Sequence, residues 1–592
     1  MNVPDEILSE LSAERIKRHV EHIVREIPSR LAGSENGRRM AQYSCSQIEK
    51  AGLDARIERV SALVSFPRAA ELRIIAPEEM VLPANTFGHS VLTSPEGITG
   101  ELVYVKDGHF GDYDGKDVQG RVTLSELSYS PGRHEKQRIA GLMGSTAQIM
   151  RNWGPDDSEA VPFGSVKPAW GIPTPETAKT EMPTIPCIGI SRLAGKYLLD
   201  LLEKGPVKVN LKTDVDNGWR DIHLTVGEMP VDSSDDFVLV GGHQDSWYGE
   251  ASTDNAAGNA CMMELARVFN KHRAKLRRGL VFGFWSAHET GTMSGSAWFA
   301  DRYWDRLRKN AVAYLMIDQP AMLGTSRWAV HSNIELRRFH EGIERSLLRG
   351  TVQEWHLAQK VGDTSFFGIG LPSFWAEGGF TPEELQASAL ATNGWWHHSL
   401  ECTIDKLDWA WMEDHIRIYA GYLWALCTSP VLPYEFISVA DQFIRRLGDL
   451  LPSAAGLGIE GTVSRAESFR RKAEELDSVA KYWNGKAVKA EAGTEPAVKA
   501  INECLKKLSR ILIPVASTEK GTYGHDTYSY TPQSTVIPAL YDVTQFGAIK
   551  ENGPEKWQLA TKLMRQRNRV TDALIEADEL VSKTLADVRR YA

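Results

Sequence analysis

Apolar positions recur at three- and four-residue spacing through "ILSELSAERIKRHVEHIVREI" and "GRRMAQYSCSQIEKAG". This periodicity predicts helices over residues 5 to 50, closed at Gly52. Short strand-like runs follow in "DARIERV" and "AAELRIIA". From about residue 98, "GITGELVYVKDGHFGDYDGKDVQGRVTLSEL" alternates in polarity and is rich in glycine, which predicts a small β-rich module. The next stretch, "NWGPDDSEAVPFGSVKPAWGIPTPETAKTEMPTIP", has too much proline and glycine for regular structure. A loop of that length in a compact domain is functional or wraps another surface.

A stronger rhythm starts at "FVLVGGHQDSW", residues 237 to 247. A buried strand leads through a loop to the helix "NAAGNACMMELARVFNKH" and then to the strand "GLVFGFWSA". A helix around "SGSAWFADRYWDRL" precedes the strand "AVAYLMID". Strands alternating with helices predict an α/β fold, a mainly parallel sheet with helices on both faces. From about residue 432 the segments "ADQFIRRLGDLL", "SRAESFRRKAEELDSVAKYW" and "AVKAINECLKKLSRIL" are amphipathic and predict a C-terminal helical bundle.

At 592 residues the chain is long enough for several domains. A net charge of −9 gives no reason to expect nucleic acid or an anionic membrane as partner. No apolar run reaches the roughly 18 residues of a membrane span, and the start lacks the pattern of a secretory signal. The six cysteines are scattered without a CxxC pair, so reduced thiols and a cytoplasmic location are expected.

The candidate chemistry recurs at one structural place. His243 and Asp245 follow "FVLVGG", Glu289 follows "VFGFWSA" and Asp318 follows "AVAYLMI". Asp254 precedes a helix in "ASTDNAAG", and His397 and His398 stand in "NGWWHHSLECTIDKLD". Ligands of open α/β sheets gather beyond the strand carboxyl ends. Singly, each residue reads more readily as a cap or a solvated polar group, and Asp254 would suit a helix N-cap. Together, two histidines and three carboxylates are what two adjacent zinc ions need, one carboxylate bridging ions about 3.5–4 Å apart. Asp245 would then fix the orientation of His243.

The segments "GGHQDSWYGEASTDNAAG", "FWSAHETGTMSGSAWFA", "MIDQP" and "WWHHSLECTIDKLD" resemble, in order and spacing, the co-catalytic zinc peptidases of the aminopeptidase Y and glutamate carboxypeptidase II family. The layout is most similar to the glutamate carboxypeptidase II and transferrin receptor branch. The resemblance implies a peptidase-like domain over 1–97 and 230–431, a protease-associated (apical) domain over 98–229 and a helical dimerisation-like domain over 432–592. It also implies a homodimer through that helical domain. Carried over by position, His243 and Asp318 would hold one zinc, Glu289 and His398 the other, and Asp254 would bridge. Manganese or cobalt would suit the same donors. His398 is preferred to His397 because "HSLECTIDK" falls in register with the family's histidine-led loop, leaving His397 to line the substrate pocket. "GDTSFF" makes Asp363 a pocket candidate, and "YTPQSTVIPALYD" does the same for Tyr528 or Tyr530.

The chain departs from the family at "SAHETG", where two glutamates normally stand and the first is the general base. Here His288 takes that first place. An imidazole can accept and return a proton near neutral pH, so His288 is a candidate catalytic base. It could instead bind metal or substrate, or mark chemistry on another C–N bond. The expected function is a dinuclear zinc hydrolase that cleaves an amide bond in a small substrate such as a dipeptide or N-acyl amino acid. The competing expectation is an inactive scaffold of the transferrin-receptor kind, against which the retention of all five ligand positions speaks.

Overall fold

Three strands at the centre of the molecule, Phe237–His243, Gly279–Trp285 and Ala311–Met316, are buried along their whole length. They are apolar because helices cover both faces of the sheet they form. They run parallel and side by side, with Phe237–His243 in the middle. In the computed structural model, which describes residues 3–128, 130–348, 350–529 and 535–591, the sheet continues to one side through Ser373–Gly379, Arg327–Ser332 and Val352–Leu357. Arg327–Ser332 runs antiparallel to Ser373–Gly379, so the sheet is mixed. The α/β class read from the sequence is the observed one.

On the other side the sheet passes into a two-stranded ribbon. Asp54–Ala76 and Lys208–Met229 pair antiparallel over almost their full lengths, with a register shift between Pro67 and Ala69. The runs "DARIERV" and "AAELRIIA", expected to be separate short strands, are the two ends of one strand. The ribbon's far end carries a second set of strands, Ile98–Tyr104, Val122–Glu126, Ala147–Arg151 and Cys187–Ile190, paired parallel in that order. Helices Arg133–Leu142 and Arg192–Leu202 accompany them. The same ribbon belongs to both lobes, and no single residue separates them.

The tail forms long helices, Ile437–Leu450, Ile459–Val488, Glu495–Ser517 and Pro554–Val588, packed on one another. Their apolar faces are continuous with the main core: Phe443, Leu505 and Leu574 belong to the same buried cluster as Val238, Leu280 and Val312. The expected helix "SGSAWFADRYWDRL" is two, Ser294–Arg302 and Trp304–Asn310, broken at Tyr303. Among the described residues no helix is long and apolar enough to cross a membrane. All six cysteines are free.

Candidate metal centre

Register brings the carboxyl ends of the three central strands to one level. Trp285 lies beside His243, and Met316 beside Gly241. His243 is therefore the last residue of the middle strand, while Glu289 and Asp318 lie four and two residues past the ends of its neighbours. Asp254 reaches the same point from the turn ahead of helix Ala257–Lys271. Its carboxylate is not spent on capping that helix. The neighbouring Asn255 side chain accepts from the Gly258 N–H at 3.0 Å instead, leaving Asp254 free for the cleft.

The five predicted donors converge. His243 Nε2 lies 3.0 Å from Asp254 Oδ1 and 3.5 Å from Asp318 Oδ1. His398 Nε2 lies 3.2 Å from the other Asp254 oxygen and 3.1 Å from Glu289 Oε1. Asp254 thus stands between two groups of donors, one oxygen toward each. His397 approaches Asp254 too, with Nδ1 at 3.4 Å from Oδ2, and stacks on His398 and Trp153. Only His398 of the pair also reaches Glu289. His397 lines the cleft, as expected of a pocket residue.

The donor set fits a cation. His243 Nε2, Glu289 Oε1 and Asp318 Oδ1 are buried, yet none makes a hydrogen bond. Buried polar atoms are otherwise nearly always paired, and imidazole nitrogens beside carboxylate oxygens are zinc's usual donors. Burial opposes a charge on His243, but Asp318 and Asp254 outweigh it and hold its pKa well above the ordinary value. A site that pulls a proton this strongly offers the same negative field to a metal ion.

Two expected roles are corrected. Asp245 does not orient His243 with its carboxylate, whose oxygen is 3.9 Å from Nδ1; its backbone carbonyl accepts from that nitrogen at 3.0 Å. The Asp245 carboxylate instead accepts from the backbone N–H groups of His288 and Glu289, at 3.1 and 3.2 Å, and so fixes the turn that carries both. Asp363 is not a wall of the substrate pocket. It is buried behind His288, whose Nδ1–H donates to Asp363 Oδ2 at 2.9 Å. That bond occupies Nδ1 and leaves Nε2 without a hydrogen-bond partner among the described residues, in a ring that lines the cleft. His288 also lies flat on His243, ring centroids 3.9 Å apart. Burial and His243 oppose its protonation, but Asp363 outweighs them and raises it to about 9.

The cleft over this cluster measures about 310 Å³ and draws its walls from distant parts of the chain. The proline-rich loop lies along it: the Phe163 N–H donates to the His398 carbonyl, and Trp170 Nε1 donates to Ser365. Tyr528 lines the cleft as expected, its N–H donating to the Pro168 carbonyl and its ring against His134 and Trp170. Tyr530 lies outside the described residues. Arg133, His134, His331, Trp375 and Glu377 also line the cleft and escaped sequence reasoning. They sit in the second lobe and on the outer strands, with no local motif to mark them.

Residues 225–422, which contain all five donors, match Peptidase family M28. The match takes in about a third of the chain, and over that stretch the chain is similar to this peptidase family. Among relatives, a probable glutamate carboxypeptidase of Zea mays is 25% identical over 494 residues, 70% of this chain and 66% of that protein. The chain thus spans about two thirds of that relative. A probable glutamate carboxypeptidase of Arabidopsis thaliana is 22% identical over 94% of this chain and 89% of its own length. The fold is shared with a solved M28 peptidase precursor from Shewanella amazonensis, at TM-score 0.58 and 19% identity over 72% of this chain and 96% of that one.

Proposed function

We propose that the chain is a dinuclear zinc hydrolase that cleaves an amide bond in a small substrate such as a dipeptide or N-acyl amino acid, with His288 as its base. One observation carries the reading: Asp254 presents one carboxylate oxygen to His243 and the other to His398, so two donor groups share a single bridge. His243 and Asp318 would hold one ion, Glu289 and His398 the other. Zinc so held supplies Lewis acidity and brings the pKa of a water toward about 7. His288, with Nδ1–H tied to Asp363, keeps Nε2 open to take a proton from the attacking water and return it to the leaving nitrogen. Positive charge at the cluster works against protonation of His288, the direction a base needs. The confined cleft, closed by Tyr528 and the loop of Trp170, favours small molecules over folded proteins. The Arg133 guanidinium in its wall suits a substrate carboxylate. A homodimer through the C-terminal helices and a cytoplasmic location complete the proposal.

The test joins metal analysis to a hydrolysis screen of dipeptides, N-acyl and N-carbamoyl amino acids. Two zinc ions per chain and cleavage of at least one class are expected. His288→Ala should abolish turnover with zinc content unchanged, and His288→Glu should keep part of it. A fully active His288→Ala overturns the base assignment, and protein that binds no metal overturns the hydrolase.

A further inference from the structure

We propose that Glu377, with His331 and Trp375, forms a subsite for a positively charged group of the substrate, an ammonium or guanidinium, beside the metal cluster. Its part in catalysis rests on the hydrolase reading above; its capacity to bind a cation does not.

Glu377 and Trp375 stand two residues apart on strand Ser373–Gly379, so both side chains point to the same face of the sheet. Both line the cleft together with His331 and Asp318. Carboxylates removed from bulk water are normally paired with a cation or with hydrogen-bond donors. Among the described residues Glu377 makes no hydrogen bond, and the ring nitrogen within ion-pair range is His331 Nε2, at 3.8 Å. His331 is no counter-ion. Burial and the adjacent His356 hold its pKa down near 3, so the ring is neutral. The ring is also fixed in place, parallel to Trp375 at 4.6 Å and stacked on His356 at 4.8 Å.

The chain therefore maintains in its cleft wall an acid with no hydrogen bond and no charged partner among the described residues. A small molecule bearing a cation would supply that partner, and the rigid ring stack leaves the carboxyl no alternative one. Neither the metal donor groups nor the His288–Asp363 pair includes Glu377. The charged group can be the α-amine of the substrate or a basic side chain.

Calorimetric titration of the zinc-loaded full chain with matched ligands separates these sources. Arginine against citrulline isolates the side-chain charge, and leucine against N-acetylleucine isolates the α-amine. In at least one pair the charged member should bind about tenfold more tightly or better, a difference of about 1.4 kcal/mol. Glu377→Gln should remove that advantage, while Glu377→Asp, which keeps the charge, should retain part of it. Equal binding within both pairs by the wild-type protein overturns the subsite, as does an advantage that persists in Glu377→Gln. If Glu377→Gln does not fold, the wild-type pairs still decide. Charge preference without hydrolysis of any ligand-derived amide supports the subsite and counts against the hydrolase reading alone.

Discussion

His288 and Asp363 are 75 positions apart, and their hydrogen bond is the contact that most changes the meaning of the departure at "SAHETG". A histidine free to rotate would be a poor replacement for a fixed carboxylate base. One whose Nδ1 is tied to a buried acid presents a single nitrogen in a single orientation. Asp363→Asn should therefore lower kcat by about 10–100-fold with KM and zinc content little changed, as loss of an orienting partner generally does. The check is steady-state kinetics beside metal analysis; unchanged kcat would remove Asp363 from the mechanism. Four of the donors were legible in the sequence because each follows an apolar strand or precedes a helix with a strong periodicity, whereas His398 was legible only through the resemblance of its loop to the family's. The Asp363 contact was not, because it joins two loops whose approach is set by the sheet rather than by neighbours in sequence. Asp245 misled for another reason: its backbone carbonyl, rather than its carboxylate, takes the hydrogen bond from His243.

At the scale of elements, the central parallel strands and the flanking helices could be read directly, since burial on both faces makes a strand uniformly apolar. The ribbon could not. Pro67 breaks the pattern between "DARIERV" and "AAELRIIA", and proline ordinarily ends a strand. Here the register shift beside Pro67 absorbs it, and Asp54–Ala76 continues unbroken. The outer part of the sheet also holds a titratable weakness. Glu335, at the second position of helix Ile334–Leu347, is buried with Oε1 unpaired, and burial raises its pKa from 4.5 to about 7. The folded chain thus keeps a proton that the unfolded chain releases above pH 4.5. Stability from this group is whole below about pH 4.5 and falls until the pH passes about 7. Relative to Glu335→Gln, the wild-type protein should lose on the order of 3 kcal/mol across that window and nothing further above it. Urea unfolding midpoints measured from pH 4.5 to 8 check this, and parallel curves would show that Glu335 does not titrate on unfolding.

At the scale of the whole molecule, the apolar core runs without a gap from the central sheet into the C-terminal helices. Removal of metal should be felt globally as a result. The cluster packs three carboxylates and two imidazoles in a buried space, and without a cation their charges are left to repel or to take up protons. Chelation should lower the melting temperature by several degrees, and zinc should restore it; an unchanged melting curve would mean that the site is not metal-loaded in the folded protein. The cleft wall has a different kind of dependence. Tyr528 closes it against His134 and Trp170, so the pocket joins residues separated by nearly 400 positions. A ribosome emits the donors from His243 to His398 well before Tyr528 leaves the exit tunnel. During synthesis the growing chain can therefore assemble its metal donors while the pocket above them still stands open. Selectivity for substrate arrives after the reactive centre.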